Sequence, residues 1–442
     1  MKNIPLHTQI LIGMVVGLLA GLAVNLLPLP AELSETLILW VKPVGQIFLR
    51  LLFMMVMPLI LSALILGMAE LGDLSRIGRI GLQTLAYTLF ASAISVGVGL
   101  LVFNVFQPAS QISEQDRAFL LARFSGETRQ VQTRLAEADP PHLTEVLVNL
   151  VPKNPLEDMV RAFDASYSGG GLLAVMFFAL ILGLALSVSD PVKTAPVKAF
   201  LEGVYELVMH VIGFGMRLAP FGVASLLFVL MASTGLGILK LLLSYVLVVL
   251  LALAIQLFIV YSLMLWGLAR MSPLYFFKNT RALMLTAFST SSSNATLPTA
   301  IQVAVEQLKL PREVAHFVLT IGATTNQNGT ALFEGITVLF LAQCFGIDLS
   351  LTQQVLVVLM AILAGVGTAG VPGGSLPLVA SILVSVGVPA ESIGIIYGVD
   401  RILDMSRTVL NVQGDVVAAA VVSRFDRGAE ALPSAADPET GA

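Results

Sequence analysis

Residues 399–416 read V-D-R-I-L-D-M-S-R-T-V-L-N-V-Q-G-D-V and place Asp400, Asp404, Arg407, Asn411 and Asp415 inside an otherwise apolar stretch. The last four follow Asp400 by 4, 7, 11 and 15 positions. At about 100° per residue, all five fall within an arc of about 80° on one helix face. A net anionic face of this kind suits cations, and its free amide and single guanidinium suit a polar solute. Arginine offers a planar fork for carboxylates, and aspartate is a natural partner for ammonium groups. The competing reading is an ion-pair stripe that only holds helices together. Either way the stripe must face protein or a water-filled cavity. One charge at the centre of a bilayer costs about 2.5–3.5 kcal/mol on insertion scales.

The apolar surroundings follow from composition. Apolar residues make up 57% of the 442-residue chain and charged residues 12%, and the mean hydropathy is +0.90. Soluble domains carry about 45–50% and about 25%. With many apolar runs near the bilayer-crossing length, the chain is expected to be an all-α polytopic membrane protein. The net charge of −4 gives no reason to expect a nucleic-acid partner. One cysteine, Cys344, allows no internal disulfide, and His7, His142, His210 and His316 are scattered. No nucleophile–base pair and no metal cluster points to an enzyme, and no cofactor is expected.

In chain order, spans are expected at residues 8–27, 38–69, 80–106, 172–187, 201–231 and 238–268. The first follows Lys2 and is too long for a signal peptide. The second carries Lys42, Arg50 and Pro58 and should be tilted or bent. Residues 107–165 form a water-facing insertion, and the tail from 424 is expected to be disordered. Short loops rich in Lys and Arg (Arg76 with Arg79, Lys193 with Lys198, Arg270 with Lys278 and Arg281) are expected on the cytoplasmic side, with both termini. This alternation fails in the C-terminal half unless two segments do not cross.

Those segments are 273–305 and 352–387. Each has two apolar arms around a polar or glycine-rich break, S-T-S-S-S-N-A-T-L-P at 289–298 and G-V-G-T-A-G-V-P-G-G-S-L-P at 365–377. Each is expected to be a re-entrant hairpin, and each precedes a full span, as in an inverted repeat whose broken helices point at the substrate. Between them, a span at 313–345 is interrupted by T-T-N-Q-N-G-T (324–330), which should unwind and free carbonyls for an alkali cation. Gly365, Gly367 and Gly370 fit G-x-G-x-x-G, but no βαβ unit surrounds them and Pro372 breaks the helix that should follow. The sequons at Asn294 and Asn328 lie in expected membrane segments and carry no weight.

Taken together, S-S-S-N-A-T-L-P, N-Q-N-G-T, G-T-A-G-V-P-G-G and D-x-x-x-D-M-x-R-T-x-x-N-V-x-G-D resemble the dicarboxylate/amino acid:cation symporters. That family includes archaeal aspartate transporters and excitatory amino acid transporters. The resemblance covers nearly the whole chain and is weakest over 107–150. It implies eight transmembrane helices plus two hairpins, an elevator-type transporter and a homotrimer in the plasma membrane, as in a bacterial inner membrane. Residues 1–78 and 107–237 would hold the scaffold, 79–106 and 238–423 the transport domain, and 424–442 a cytoplasmic tail.

Carried over by residue, the resemblance gives Asp404 the substrate's ammonium, Arg407 its side-chain carboxylate and Asn411 its α-carboxylate. Thr408, Thr330, Ser293 and backbone at Ser291 and Val371 complete the pocket. One sodium site would use Gly322, Asn326, Asn411 and Asp415, and a second the backbone of Thr324, Gly365, Val366 and Thr368. The chain also departs from the pattern. Asn328 replaces an aspartate and Ala91, beside Ser92, replaces a hydroxyl, so the family's third sodium site is not expected. Glu334 stands where animal members carry a proton. Ser291 replaces an arginine of archaeal members, for which Arg401 is a candidate substitute. The implied function is sodium-driven import of aspartate or glutamate, with proton co-transport as an addition. Cystine or a C4-dicarboxylate is the alternative substrate, and an anion channel the alternative class.

Overall fold

The structure is a computed structural model that describes residues 6–27, 30–69, 76–110, 112, 114, 117–118, 148–149, 151–162, 171–367 and 375–426. Most of the expected insertion, the 368–374 tip of the second hairpin with Thr368 and Val371, and the tail beyond 426 lie outside the described residues. The elements are helices: α1 (Leu6–Leu26), α2 (Ala31–Phe53), α3 (Val56–Ala69), α4 (Arg76–Phe106), α5 (Pro155–Val160), α6 (Gly171–Val188) and α7 (Pro191–Thr234) come first. α8 (Leu236–Ile255) runs on through π-helical turns to Ala269. The first hairpin is α9 (Pro273–Asn279), α10 (Arg281–Thr290) and α11 (Ser293–Gln302). Then come α12 (Arg312–Thr325), α13 (Asn328–Cys344), the second hairpin α14 (Leu351–Gly367) and α15 (Leu376–Ser385), and α16 (Tyr397–Phe425). Among the described residues, four helices are long and apolar enough to cross a membrane, at Thr8–Leu26, Arg79–Phe106, Pro191–Ser233 and Leu239–Ala269.

α1 is apolar on every side, and glycine decides how it packs. Gly13, Gly17 and Gly21 recur every fourth residue and lie against the backbone of Pro220, Ala224 and Phe228 of α7. A Cβ at any of the three would collide with a main-chain carbonyl oxygen. Between apolar helices in lipid, such small-residue faces allow the close contact that holds them together. The expected bend in the second span has two causes. Pro43 lies inside α2, and the Ser225 hydroxyl of α7 enters the ladder just beyond it, donating to Val41 O at 2.7 Å and accepting from Gly45 N at 3.0 Å. An inserted side chain of this kind opens an i→i−4 bond and kinks the helix. The helix then breaks outright at Met54–Met55 and restarts so that Pro58 sits in the first turn of α3, where proline is tolerated.

Both expected polar breaks are shorter than the sequence suggests. Within the expected break at 289–298 only Ser291 and Ser292 leave the helix. Ser291 takes the left-handed conformation (φ 51°) that ends α10, and the Ser292 hydroxyl accepts from Ala295 N at 3.2 Å to start α11. Ser293 to Pro298 are therefore helical. Between α12 and α13 only Asn326 and Gln327 are unwound. α13 restarts at Asn328 because the Asn411 side chain, from α16, accepts from Gly329 N at 2.7 Å and Thr330 N at 3.3 Å, satisfying donors that a helix N-terminus otherwise leaves open.

α1 and α2 pack along α7, and α3 packs along α6. α4 packs on α13, α12 on α16, and both arms α10 and α11 on α16, while α14 and α15 pack on α13. α16 thus lies at the centre of the second group and is buried along almost its whole length.

Candidate functional site

The predicted stripe is real and lies inward: Asp400, Asp404, Arg407, Asn411 and Asp415 are all buried on α16. Arg407 is 2% exposed. It donates from Nε and Nη2 to Asp404 Oδ1 at 3.1 and 2.8 Å, and from Nη1 to Asp400 Oδ1 at 3.0 Å. Its guanidinium lies over the Phe333 ring of α13, with Cζ 4.2 Å from the centroid. Arg401 reaches the other oxygen of the same carboxylate, with Nη1 3.2 Å from Asp404 Oδ2. Asp404 is therefore clamped by two guanidinium groups.

One turn further along, Asn411 is held on both sides of its amide. Its oxygen caps α13, and its nitrogen donates to Gln327 Oε1 at 2.5 Å and Thr330 Oγ1 at 3.0 Å. Thr330 in turn donates to Gln327 Oε1 at 3.2 Å. Thr408 uses its hydroxyl on Asp404 O at 2.8 Å. The predicted residues thus fall into two neighbouring polar clusters on α16, Asp404 with Arg407 and Thr408, and Asn411 with Thr330. Gln327 and Phe333 belong to them without having been singled out from the sequence. Gln327 lies inside the N-Q-N-G-T motif, whereas Phe333 is one aromatic in an apolar helix and carries no signal.

Next along the stripe, Asp415 faces the break between α12 and α13. Asn326 Nδ2 donates to Asp415 Oδ1 at 2.9 Å, and the Asn326 Oδ1 is buried without a hydrogen-bond partner among the described residues. Gly322 makes the approach possible, since a Cβ there would lie 2.6 Å from Asp415 Oδ1. Its carbonyl already accepts from Asn326 N at 2.9 Å. This groups Gly322, Asn326 and Asp415, with Asn411 one turn away on α16. Thr324 is still helical, its hydroxyl on Ile321 O at 2.9 Å. Gly365 and Val366 are in the last turn of α14, where carbonyls lack intrahelical donors. A Cβ on Gly365 would lie 3.5 Å from Gln327 O, so this helix end abuts the same break.

Ser291 and Ser293 are buried at the first hairpin's turn, and the Ser291 hydroxyl has no partner among the described residues. Glu334, two turns into α13, is fully buried, and among the described residues neither carboxyl oxygen has a hydrogen-bond partner. Burying an unpaired carboxylate is costly, whereas the protonated acid is far cheaper to hold in such a place. On the other side of the break, Asn328 is enclosed: Ser92 Oγ donates to its Oδ1 at 2.7 Å, and its Nδ2 donates to Tyr261 OH at 3.0 Å.

Comparison with known proteins gives a family for the chain. The chain matches the sequence profile of the Sodium:dicarboxylate symporter family over residues 6–425. It is 34% identical over 429 residues to a Bacillus subtilis protein named Proton/sodium-glutamate symport protein, covering 96% of this chain and 94% of that one. It is 33% identical over 434 residues to the Proton/glutamate-aspartate symporter of Escherichia coli, covering 96% and 94%. A C4-dicarboxylate transport protein of Rhodospirillum rubrum is 30% identical over 424 residues, covering 95% and 88%.

Proposed function

This chain belongs to the sodium:dicarboxylate symporter family, and from that premise we propose that it is a secondary-active symporter importing aspartate or glutamate with sodium. It is a membrane transporter and not an enzyme. The observation that carries the substrate is the buried pair of Asp404 and Arg407 beside Asn411. A carboxylate for an ammonium and a guanidinium for a carboxylate, on one helix face, match an acidic amino acid. A dicarboxylate without an amine would bring no cation to Asp404.

In this reading Asp404 holds the ammonium and Arg407 the side-chain carboxylate. Three of the five N–H bonds of Arg407 are engaged, which leaves two for a ligand. Asn411 takes the α-carboxylate after letting go of Gln327 or Thr330. Thr408, Thr330, Ser293 and the backbone of Ser291 line the rest. Sodium sits between Asp415, the free Asn326 Oδ1, Asn411 and the Gly322 carbonyl. The C-terminal carbonyls of α14 at Gly365 and Val366, with Thr324, supply a second cation position at the negative end of a helix dipole. Glu334 carries the co-transported proton, since a carboxyl sealed without a partner is most cheaply kept protonated.

The packing supports a division into a scaffold (α1, α2, α3, α6, α7) and a transport domain (α4, α8, both hairpins, α12, α13, α16), because each group packs chiefly within itself. We assign the family's eight spans, homotrimeric assembly, elevator motion and inner-membrane location on the same reading. Uptake of labelled aspartate into proteoliposomes with imposed sodium and pH gradients is the test. Sodium-driven accumulation of aspartate is expected, and accumulation of succinate in its place would overturn the substrate assignment.

A further inference from the structure

Asp400 is the member of the stripe that meets neither ligand nor sodium, yet it is 5% exposed and holds Arg407 Nη1 at 3.0 Å. Its effect is on the charge count. Asp404 receives Arg407 at 2.8 and 3.1 Å and Arg401 at 3.2 Å. The cluster thus holds two carboxylates and two guanidinium groups, each bonded to a partner of opposite sign. Its net charge is zero. The two remaining buried acids of α13 and α16 leave that count unchanged: Glu334 is read as protonated, and Asp415 has its own sodium. The hairpin tip at 368–374, T-A-G-V-P-G-G, brings no charge.

An acidic amino acid brings one ammonium and two carboxylates, so the occupied site carries one negative charge in excess. In a buried place such a charge is strongly disfavoured unless a counter-charge lies near. The cluster has none to spare, because Asp400 already balances the second guanidinium. The compensation has to come from a cation that binds with the ligand. Sodium beside Asp415 answers that carboxylate, which leaves the ligand's own charge to the second cation position at the end of α14. Were residue 400 neutral, the cluster would hold one unbalanced positive charge, and aspartate would need no cation for that purpose.

We infer that Asp400 is a coupling residue: by balancing the two arginines in the empty site, it makes an acidic substrate depend on a co-bound cation. It acts through Arg407 and through charge, without touching the ligand. This inference rests on the reading of Asp404 and Arg407 as the site of an acidic amino acid.

The test is calorimetric titration of the purified full-length protein with L-aspartate at saturating and at low sodium. Wild type, Asp400→Asn and the double variant Asp400→Asn with Arg401→Gln are compared. Asparagine keeps an acceptor for Arg407 Nη1 and removes only the charge. In wild type, affinity should fall steeply as sodium is lowered. In Asp400→Asn, aspartate at low sodium should bind at least threefold tighter than in wild type, with a flatter dependence on sodium. The double variant removes one charge of each sign, so its sodium dependence should return to that of wild type. Low-sodium affinity in Asp400→Asn within threefold of wild type, or weaker, overturns the role, as does a double variant that stays as flat as Asp400→Asn. Either result leaves the acidic substrate standing. Wild-type protein that fails to bind aspartate, or binds it equally without sodium, overturns that reading and the role with it. Should Asp400→Asn not yield monodisperse protein, Arg401→Gln alone carries the opposite expectation. Aspartate at low sodium should then bind at least threefold more weakly than in wild type, and any smaller loss overturns the role.

Discussion

Asn326 and Asp415 join the break in one helix to the middle of another. The Asn326 amide donates to Asp415 Oδ1 at 2.9 Å while its own oxygen is buried with no partner among the described residues. A carboxylate and an idle amide oxygen, both dry and side by side, form an oxygen-rich position for a dehydrated cation. Asp415→Asn should therefore raise the sodium concentration needed for half-maximal aspartate binding by about tenfold or more, within the usual range of coupling between sites. Because linkage is reciprocal, the same variant should weaken the sodium dependence of aspartate affinity. Titrating aspartate across a sodium series measures both, and an unchanged series would move the cation elsewhere.

Arg407 stacks on Phe333 and bonds to Asp404 and Asp400. Arg407→Cys should abolish measurable binding of aspartate and glutamate, since breaking a buried charge pair typically costs about 3–5 kcal/mol. Removing the cation also opens room for a neutral side chain, so serine or alanine should gain affinity. Aspartate binding within threefold of wild type by calorimetry would rule out the assigned role.

Glu334 is sealed in α13 with no hydrogen-bond partner among the described residues. If it ferries a proton, an acidic exterior should speed wild-type aspartate uptake at fixed sodium. Glu334→Gln mimics the protonated acid at all pH values, so its uptake should ignore the pH gradient. Wild-type uptake that is itself indifferent to pH would leave Glu334 as a structural acid.

Ser92 and Tyr261 close in the side chain of Asn328, the position at which the resemblance sets the family's third sodium site. Tyr261 OH continues the chain of bonds to Leu410 O at 3.3 Å. With a neutral amide whose oxygen and nitrogen are both engaged, fewer than three sodium ions should move with each substrate. Reversal potentials measured in proteoliposomes across a sodium gradient give the ratio, and a value of three would show that this position still binds.

Gly17 lies against Ala224, and a Cβ there would stand 2.8 Å from the Ala224 Cα and nearer still to its carbonyl oxygen. Gly17→Val should lower stability by about 1–3 kcal/mol, as overpacked contacts do, visible as an earlier thermal transition in detergent. Gly97, where an added Cβ would meet nothing within 4 Å, is the control: Gly97→Ala should leave the transition in place.

The sequence alone determined that α16 carries a polar stripe and that the stripe had to be buried. Helical periodicity sets the relative angles of Asp400, Asp404, Arg407, Asn411 and Asp415, and an apolar flank leaves charged groups nowhere to go but inward. It also located the turn of the first hairpin and the interruption before α13, because serine and asparagine runs are poor helix interiors. The lengths of those interruptions were another matter. They depend on caps, and the cap of α13 comes from Asn411, more than eighty positions away.

Only the tertiary structure decided who partners whom. Periodicity gives an angle around one axis but neither the rotation of that helix against its neighbours nor the groups they present. So it could not say that Asp415 meets Asn326, that Asn328 is closed in by Ser92 and Tyr261, or that Phe333 backs Arg407. The same holds for Arg401. At about 100° from Asp400 it lies at the edge of the stripe, and its hold on Asp404 depends on the path its long side chain takes through the packed interior.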